Sequence, residues 1–177
     1  VVVHPQFTEP DVALSAAGHL VDHVLLGDDF ALNPGIVPED ADLVIVGNPT
    51  NPTGVRHRRT ELLELRRPGR LIVVDEAFCD DDDQSVTRAA SPGVVVIRSL
   101  TKLWAIAGLR AGYLLGEPAV LEALRQQQPP WSVSAPAVAA MLACTSSQAS
   151  DEAAARMRQI QADRTGLERG LADLGIH

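Results

Sequence analysis

Leu71-Ile72-Val73-Val74-Asp75-Glu76-Ala77-Phe78 decides how this chain is read. Four consecutive large apolar residues leave no alternating polar face, so the run predicts a strand buried on both sides, as in a parallel sheet. The run ends on a carboxylate. A carboxylate at the end of an apolar strand is costly without a cationic or donor partner, so Asp75 either caps the following loop or faces a ligand. Similar runs rich in Val, Ile and Leu recur at 20–26, 42–47 and 94–98, with 1–3 as the end of another and 111–115 as a further candidate. Segments with helical spacing lie between them at 9–17 and 58–67, and the intervals suit crossover connections. The expected architecture is α/β: a doubly wound, mostly parallel sheet.

Beyond Gly116 the pattern turns helical. One helix is expected over 117–127, closed by Pro129-Pro130, and a second follows the Ser132-to-Pro136 turn to about Ser146. A third, amphipathic and charged, is expected over 150–173, with Ser150 as N-cap and Asp151 and Glu152 in its first turn. The chain therefore divides into a large domain over 1–147, and a connector helix with the start of a small C-terminal domain over 148–177. The acidic run Asp80 to Asp83 reads as a solvated loop.

With 177 residues, 46% of them hydrophobic, the chain can bury a core of ordinary single-domain size. A net charge of -8 argues against a nucleic-acid partner, which calls for clustered and unopposed cations. No apolar run approaches the roughly 20 residues of a membrane span, and Val1-Val2-Val3-His4-Pro5 lacks the basic flank of a signal peptide. A cytoplasmic location without membrane contact is expected. Cys79 and Cys144 stand far apart with no CxxC or Cys/His spacing, which suits reduced structural thiols, and no metal site is expected. The 15 basic residues are all arginine except Lys102. Arginine stays protonated, whereas a lysine can lose its proton and attack a carbonyl, so the lone lysine is either a compositional accident or a nucleophile.

In an open parallel sheet, ligands gather beyond the carboxyl ends of the strands near the switch in strand order. Three polar segments fall there: Asn48 to Gly54 after 42–47, Asp75 to Phe78 after 71–75, and Ser99-Leu100-Thr101-Lys102 after 94–98. Asp75 could hold a pyridinium N–H and so strengthen an electron-withdrawing ring. Ser99, Thr101 and Arg110 offer two hydroxyls and a guanidinium fork, a set suited to a dianionic phosphate, although hydroxyls in such turns are also ordinary. Asn51, between two prolines, could aim its amide at a ligand oxygen or simply make a turn.

Taken in order, Asn51-Pro52-Thr53-Gly54, Asp75-Glu76-Ala77-Phe78, Ser99-Leu100-Thr101-Lys102 and Arg110 eight residues on resemble the fold-type I pyridoxal 5'-phosphate enzymes, the class I and II aminotransferases. The resemblance spans Pro5 to about Pro136. It implies that 1–147 is a partial cofactor-binding large domain. It also implies Lys102 as the catalytic residue that forms an imine with pyridoxal phosphate, and Asp75 as the partner of the pyridine nitrogen. Asn51 would donate to the phenolic oxygen. Ser99, Thr101 and Arg110 would surround the phosphate, and Phe7 would stack on the ring, a residue that could otherwise be core. Many relatives carry tyrosine at the position of Phe78, whose ring has no hydroxyl to give a second bond to that phenolic oxygen.

Two groups within the superfamily are similar: histidinol-phosphate aminotransferases and the threonine-phosphate decarboxylases of cobalamin synthesis. Asp75 to Phe78, Arg98 to Lys102, Ala105 to Arg110, and Gln126 to Val133 with Pro130-Trp131-Ser132-Val133 lean toward the decarboxylase, though Trp131 could equally be core packing. The implied substrate is a small amino acid or amine bearing a phosphate. The resemblance further implies a homodimer, a glycine-rich phosphate cup before Val1 and a small domain after the connector helix, so the chain is expected to be about half of an enzyme. A fragment that binds a partner without catalysis is the competing expectation.

Overall fold

The computed structural model describes residues 1–79, 85–89 and 92–176; the acidic run Asp80 to Asp83 lies outside them. Each of the six apolar runs yields a strand: β1 (Val2–His4), β2 (His23–Leu25), β3 (Leu43–Gly47), β4 (Leu71–Asp75), β5 (Val94–Ser99) and β6 (Gly112–Leu115). They form one sheet in the order β2-β1-β3-β4-β5-β6, with β1 to β5 parallel and β6 antiparallel to β5. The α/β expectation of a mostly parallel sheet with helices holds. The chain passes from β1 outward to β2 and then back across to β3, so the order switches between β1 and β3.

Burial separates the strands. Val44, Val46, Ile72, Val74, Val94 and Val96 are buried, as uninterrupted apolar runs in central strands must be. The run at 20–26 was expected to be a buried strand, yet β2 keeps only three residues and buries only Val24. It is an edge strand, paired on one side to β1, so half of its backbone and two of its side chains face outward.

Helix α2 (Arg59–Glu64) lays Leu62 against the sheet, joined by Leu65 one turn on, and each such burial contributes about 1.5–3 kcal/mol. It stops short of the expected Arg67 because Pro68 disfavours helix at the residue before it and Gly69 takes φ +80°. Arg70, also buried, donates to the carbonyls of Ala41 at 2.9 Å and Leu65 at 2.7 Å, which satisfies its guanidinium where water is absent.

The remaining helices are α1 (Glu9–Ala16), α3 (Pro118–Gln127), α4 (Ala135–Cys144) and α5 (Ser147–Asp173). α5 begins before the expected cap at Ser150. Ser146 Oγ accepts from Ala149 N–H at 3.1 Å, so Ser150 falls in the first turn and its hydroxyl bonds back to Ser146 O. No helix among the described residues is long and apolar enough to cross a membrane.

Candidate active site

Two neighbouring carboxylates leave β4 in different directions. Glu76 is fully buried: its Oε2 accepts from Ser85 Oγ at 2.5 Å and Arg98 Nη1 at 3.0 Å, and its Oε1 from Val86 N–H at 2.8 Å. That network fastens the end of β4 to β5. Asp75 lines a cleft and accepts from Ala77 N–H at 3.0 Å, so it both caps its loop and faces the opening. Burial pushes its carboxyl above the ordinary range, opposed by the Ala77 N–H and the charge of Lys102.

The loop after β3 is held in place by its own polar groups. Asn48, buried, donates its N–H to Asp75 O at 2.8 Å and accepts at Oδ1 from His57 N–H at 2.8 Å. Thr50 Oγ1 donates to Gly47 O at 2.8 Å. Gly54 closes the turn by donating to Thr50 O at 2.7 Å at φ +71°, a conformation glycine adopts without a Cβ penalty. Asn51 is thereby carried on a short, exposed turn at the cleft.

After β5, Ser99 Oγ and Thr101 Oγ1 lie 2.8 Å apart, and Thr101 N–H donates to Ser99 Oγ at 3.2 Å. Lys102 follows, exposed, with Nζ 4.8 Å from the centroid of Phe78. Arg110 is exposed and held at φ +54°, a left-handed conformation uncommon for a residue with a side chain. Gly112 then passes against β5 where a Cβ would meet Arg98 O at 2.8 Å.

Phe7, Asn51, Asp75, Ser99, Thr101, Lys102 and Arg110, the seven residues singled out from the sequence, all line one cleft of about 310 Å³ at the carboxyl ends of β1, β3, β4 and β5. Phe7 is 49% exposed, so it belongs to the wall of the cleft and not to the core. Trp131 is 96% exposed, which rules out core packing within the described residues. Sequence reasoning missed Gln6, Pro10, Gly47 and Ile97 in the same wall. Gln6 carries a signal only in three dimensions: it is buried, and its Nε2 has no hydrogen-bond partner among the described residues. Such a donor costs about 1–3 kcal/mol until something accepts from it.

The donor set fits pyridoxal phosphate. One wall offers an amine, a partly buried carboxylate, an aromatic face, paired hydroxyls beside a guanidinium, and an amide donor with no partner among the described residues. A protonated ring nitrogen would compensate the buried Asp75 charge, and a dianion would match Ser99, Thr101 and Arg110.

Comparison with known proteins points the same way. The family model for aminotransferase class I and II matches residues 34–177. A histidinol-phosphate aminotransferase of Mycobacterium tuberculosis is 50% identical over 177 residues, covering 98% of this chain and 49% of that protein. A threonine-phosphate decarboxylase of Pseudomonas aeruginosa is 39% identical over 141 residues, covering 76% of this chain and 41% of that protein. The crystal structure of histidinol-phosphate aminotransferase from Sinorhizobium meliloti in complex with pyridoxal-5'-phosphate superposes with a TM-score of 0.85 at 26% identity, covering 99% of this chain and 50% of that one. The chain thus spans about half the length of the curated relatives it matches. By sequence and by fold, the chain belongs to the class I and II aminotransferase family, whose cofactor is pyridoxal 5'-phosphate.

Proposed function

We propose that this chain forms the cofactor-binding part, over 1–147, of a pyridoxal-phosphate-dependent aminotransferase acting on a phosphate-bearing amine of the histidinol-phosphate kind, with 148–177 as connector to a small domain. The observation that carries this reading is the placement of Lys102 and Asp75 on one cleft with the Ser99, Thr101 and Arg110 group. The break between α4 and α5 at 145–146 supports the division. A second copy of the chain as partner and a cytoplasmic setting belong to the same proposal.

When bound, the cofactor supplies a carbonyl for condensation with the substrate amine and an electron-withdrawing ring for bond cleavage at the substrate's Cα. Lys102 Nζ would be the nucleophile that holds the cofactor and the base placed to move a proton at the substrate's Cα. Asp75 accepts the ring N–H and keeps that proton in place. Asn51 would donate its amide to the phenolic oxygen, and Phe7 would cover one face of the ring. Ser99, Thr101 and Arg110 bind the phosphate and fix the register of the whole group.

The motif details lean toward the decarboxylase, and the relatives reverse that ranking: 50% identity over 98% of the chain to an aminotransferase stands against 39% over 76% to a decarboxylase. The decarboxylase stays as the second reading because Phe78, which lines the cleft, brings no hydroxyl to it.

The intact protein with pyridoxal phosphate should show a near-visible absorption band, and borohydride should fix the cofactor on the peptide containing Lys102. Lys102→Ala should remove the band and lower turnover by at least about a thousandfold without unfolding the exposed site. With histidinol phosphate and 2-oxoglutarate, keto product should form without carbon dioxide. Carbon dioxide release from threonine phosphate would establish the second reading, and a wild-type protein that gives no lysine adduct would remove both.

A further inference from the structure

At the β1–β2 edge of the sheet, three side chains of metal-binding type meet. His4 ends β1, His23 opens β2, and Asp11 stands in the first turn of α1. Val2 pairs with His23 and His4 with Leu25, so strand alternation puts both imidazoles on the same face of the sheet, two positions apart. α1 brings Asp11 over that face. One ligand atom from each residue lies within 4.8 Å of the other two.

A carboxylate simply accepting a hydrogen bond from each histidine would explain only part of this. His23 Nε2 donates to Asp11 Oδ1 at 2.7 Å. His4 Nε2 lies 2.8 Å from Asp11 Oδ2, within ion-pair distance, yet this buried atom has no aligned hydrogen-bond partner among the described residues. Around tetrahedral zinc, with bonds of about 2.0–2.2 Å, ligand atoms stand about 3.3 Å apart; the two His–Asp spacings, each to a different oxygen of Asp11, would widen by about half an ångström, and the three ligand atoms already lie within 4.8 Å of one another.

We infer that His4, Asp11 and His23 form a binding site for a divalent transition-metal ion, with zinc the best match. Two imidazole nitrogens and one carboxylate oxygen are its ordinary ligands, and the affinity order of such sites favours the late first-row metals over magnesium or calcium. The side chains of His4 and Asp11 are 18% and 19% exposed while that of His23 is 51% exposed, so water has access to the fourth position from one side. The ion would bolt α1 to the sheet. It would also clamp both ends of the segment carrying Gln6, Phe7 and Pro10, all three of which line the cleft. The site stands apart from the proposed function, because ion binding is measured directly and needs no turnover.

The test uses intact protein without a histidine tag, stripped by chelator and titrated with zinc chloride in a calorimeter, with cobalt(II) absorbance as a second probe. One equivalent should bind and raise the melting temperature. Asp11→Asn and His23→Gln should each weaken binding by more than the roughly 10–100-fold that loss of an outer partner costs, and should abolish the thermal shift. Circular dichroism of His23→Gln checks that this exposed substitution leaves the fold intact. Absence of stoichiometric uptake, or uptake unchanged in both variants, would overturn the inference and leave Asp11 as a hydrogen-bond acceptor only.

Discussion

Residues 1–99 and the helices from Pro118 onward are built on different physical terms. Every member of the hydrophobic core cluster, from Val3 to Val96, lies in the first region. Among the described residues of the helices, only Ala137 and Ala149 are buried, while Leu142, Ile160, Leu167 and Leu174 are exposed. α5 is instead laced by pairs one turn apart, Arg156 with Glu152 and Arg164 with Glu168, each worth a few tenths of a kcal/mol. The difference teaches where rigidity resides. All the residues lining the cleft precede Ala111: most belong to the packed region, and Thr101, Lys102 and Arg110 follow directly from the end of β5, while the helices touch this part of the chain through contacts such as Arg156 donating to Leu103 O at 3.2 Å.

That contrast can be broken most severely at Glu76. Glu76→Ala removes the buried acceptor shared by Ser85 Oγ, Val86 N–H and Arg98 Nη1, and the expected loss is about 3–5 kcal/mol in denaturant unfolding. A loss below 1 kcal/mol would show that solvent already reaches the pair. Leu62→Ala should follow, at about 2–5 kcal/mol by the same measurement, because it empties a fully buried site under the sheet.

A smaller effect is expected from His57, whose imidazole burial holds below its ordinary value of 6.5, with Glu61 pulling weakly the other way. As pH falls below 6.5 the unfolded chain takes up a proton that the folded chain refuses, so stability declines until the lower folded value is reached and is level beneath it. Above 6.5 it contributes no slope. The decline cannot exceed about 1.4 kcal/mol per pH unit for one group, and His57→Gln should flatten it in melts between neutral and acid pH. The smallest effect belongs to α5: Leu167→Ala should change stability by no more than about 0.5 kcal/mol. A cost matching that of Leu62→Ala would mean that α5 is covered in solution and that the contrast fails.

The strands could be read from the sequence because an apolar run is a local record of burial on both faces, and the cleft residues because they stand at the carboxyl ends of those runs. Their roles rested on the order of Asn51, Asp75, Lys102 and Arg110 along the chain, which survives without any knowledge of distance. Element limits were less legible. β2 shrinks because it is an edge, and α5 starts at Ser147 because Ser146 caps it first, and both outcomes depend on neighbours.

What the sequence by itself determined is the α/β sheet, the candidate lysine and the family. Only the tertiary structure decided that Glu76 would be spent on Arg98 while Asp75 faces the cleft, that Gln6 would find no partner for its donor among the described residues, and that His4, Asp11 and His23 would meet. Those are choices between partners far apart in the chain. Periodicity and spacing report what a residue needs, but the partner that satisfies it is set by which strands lie side by side.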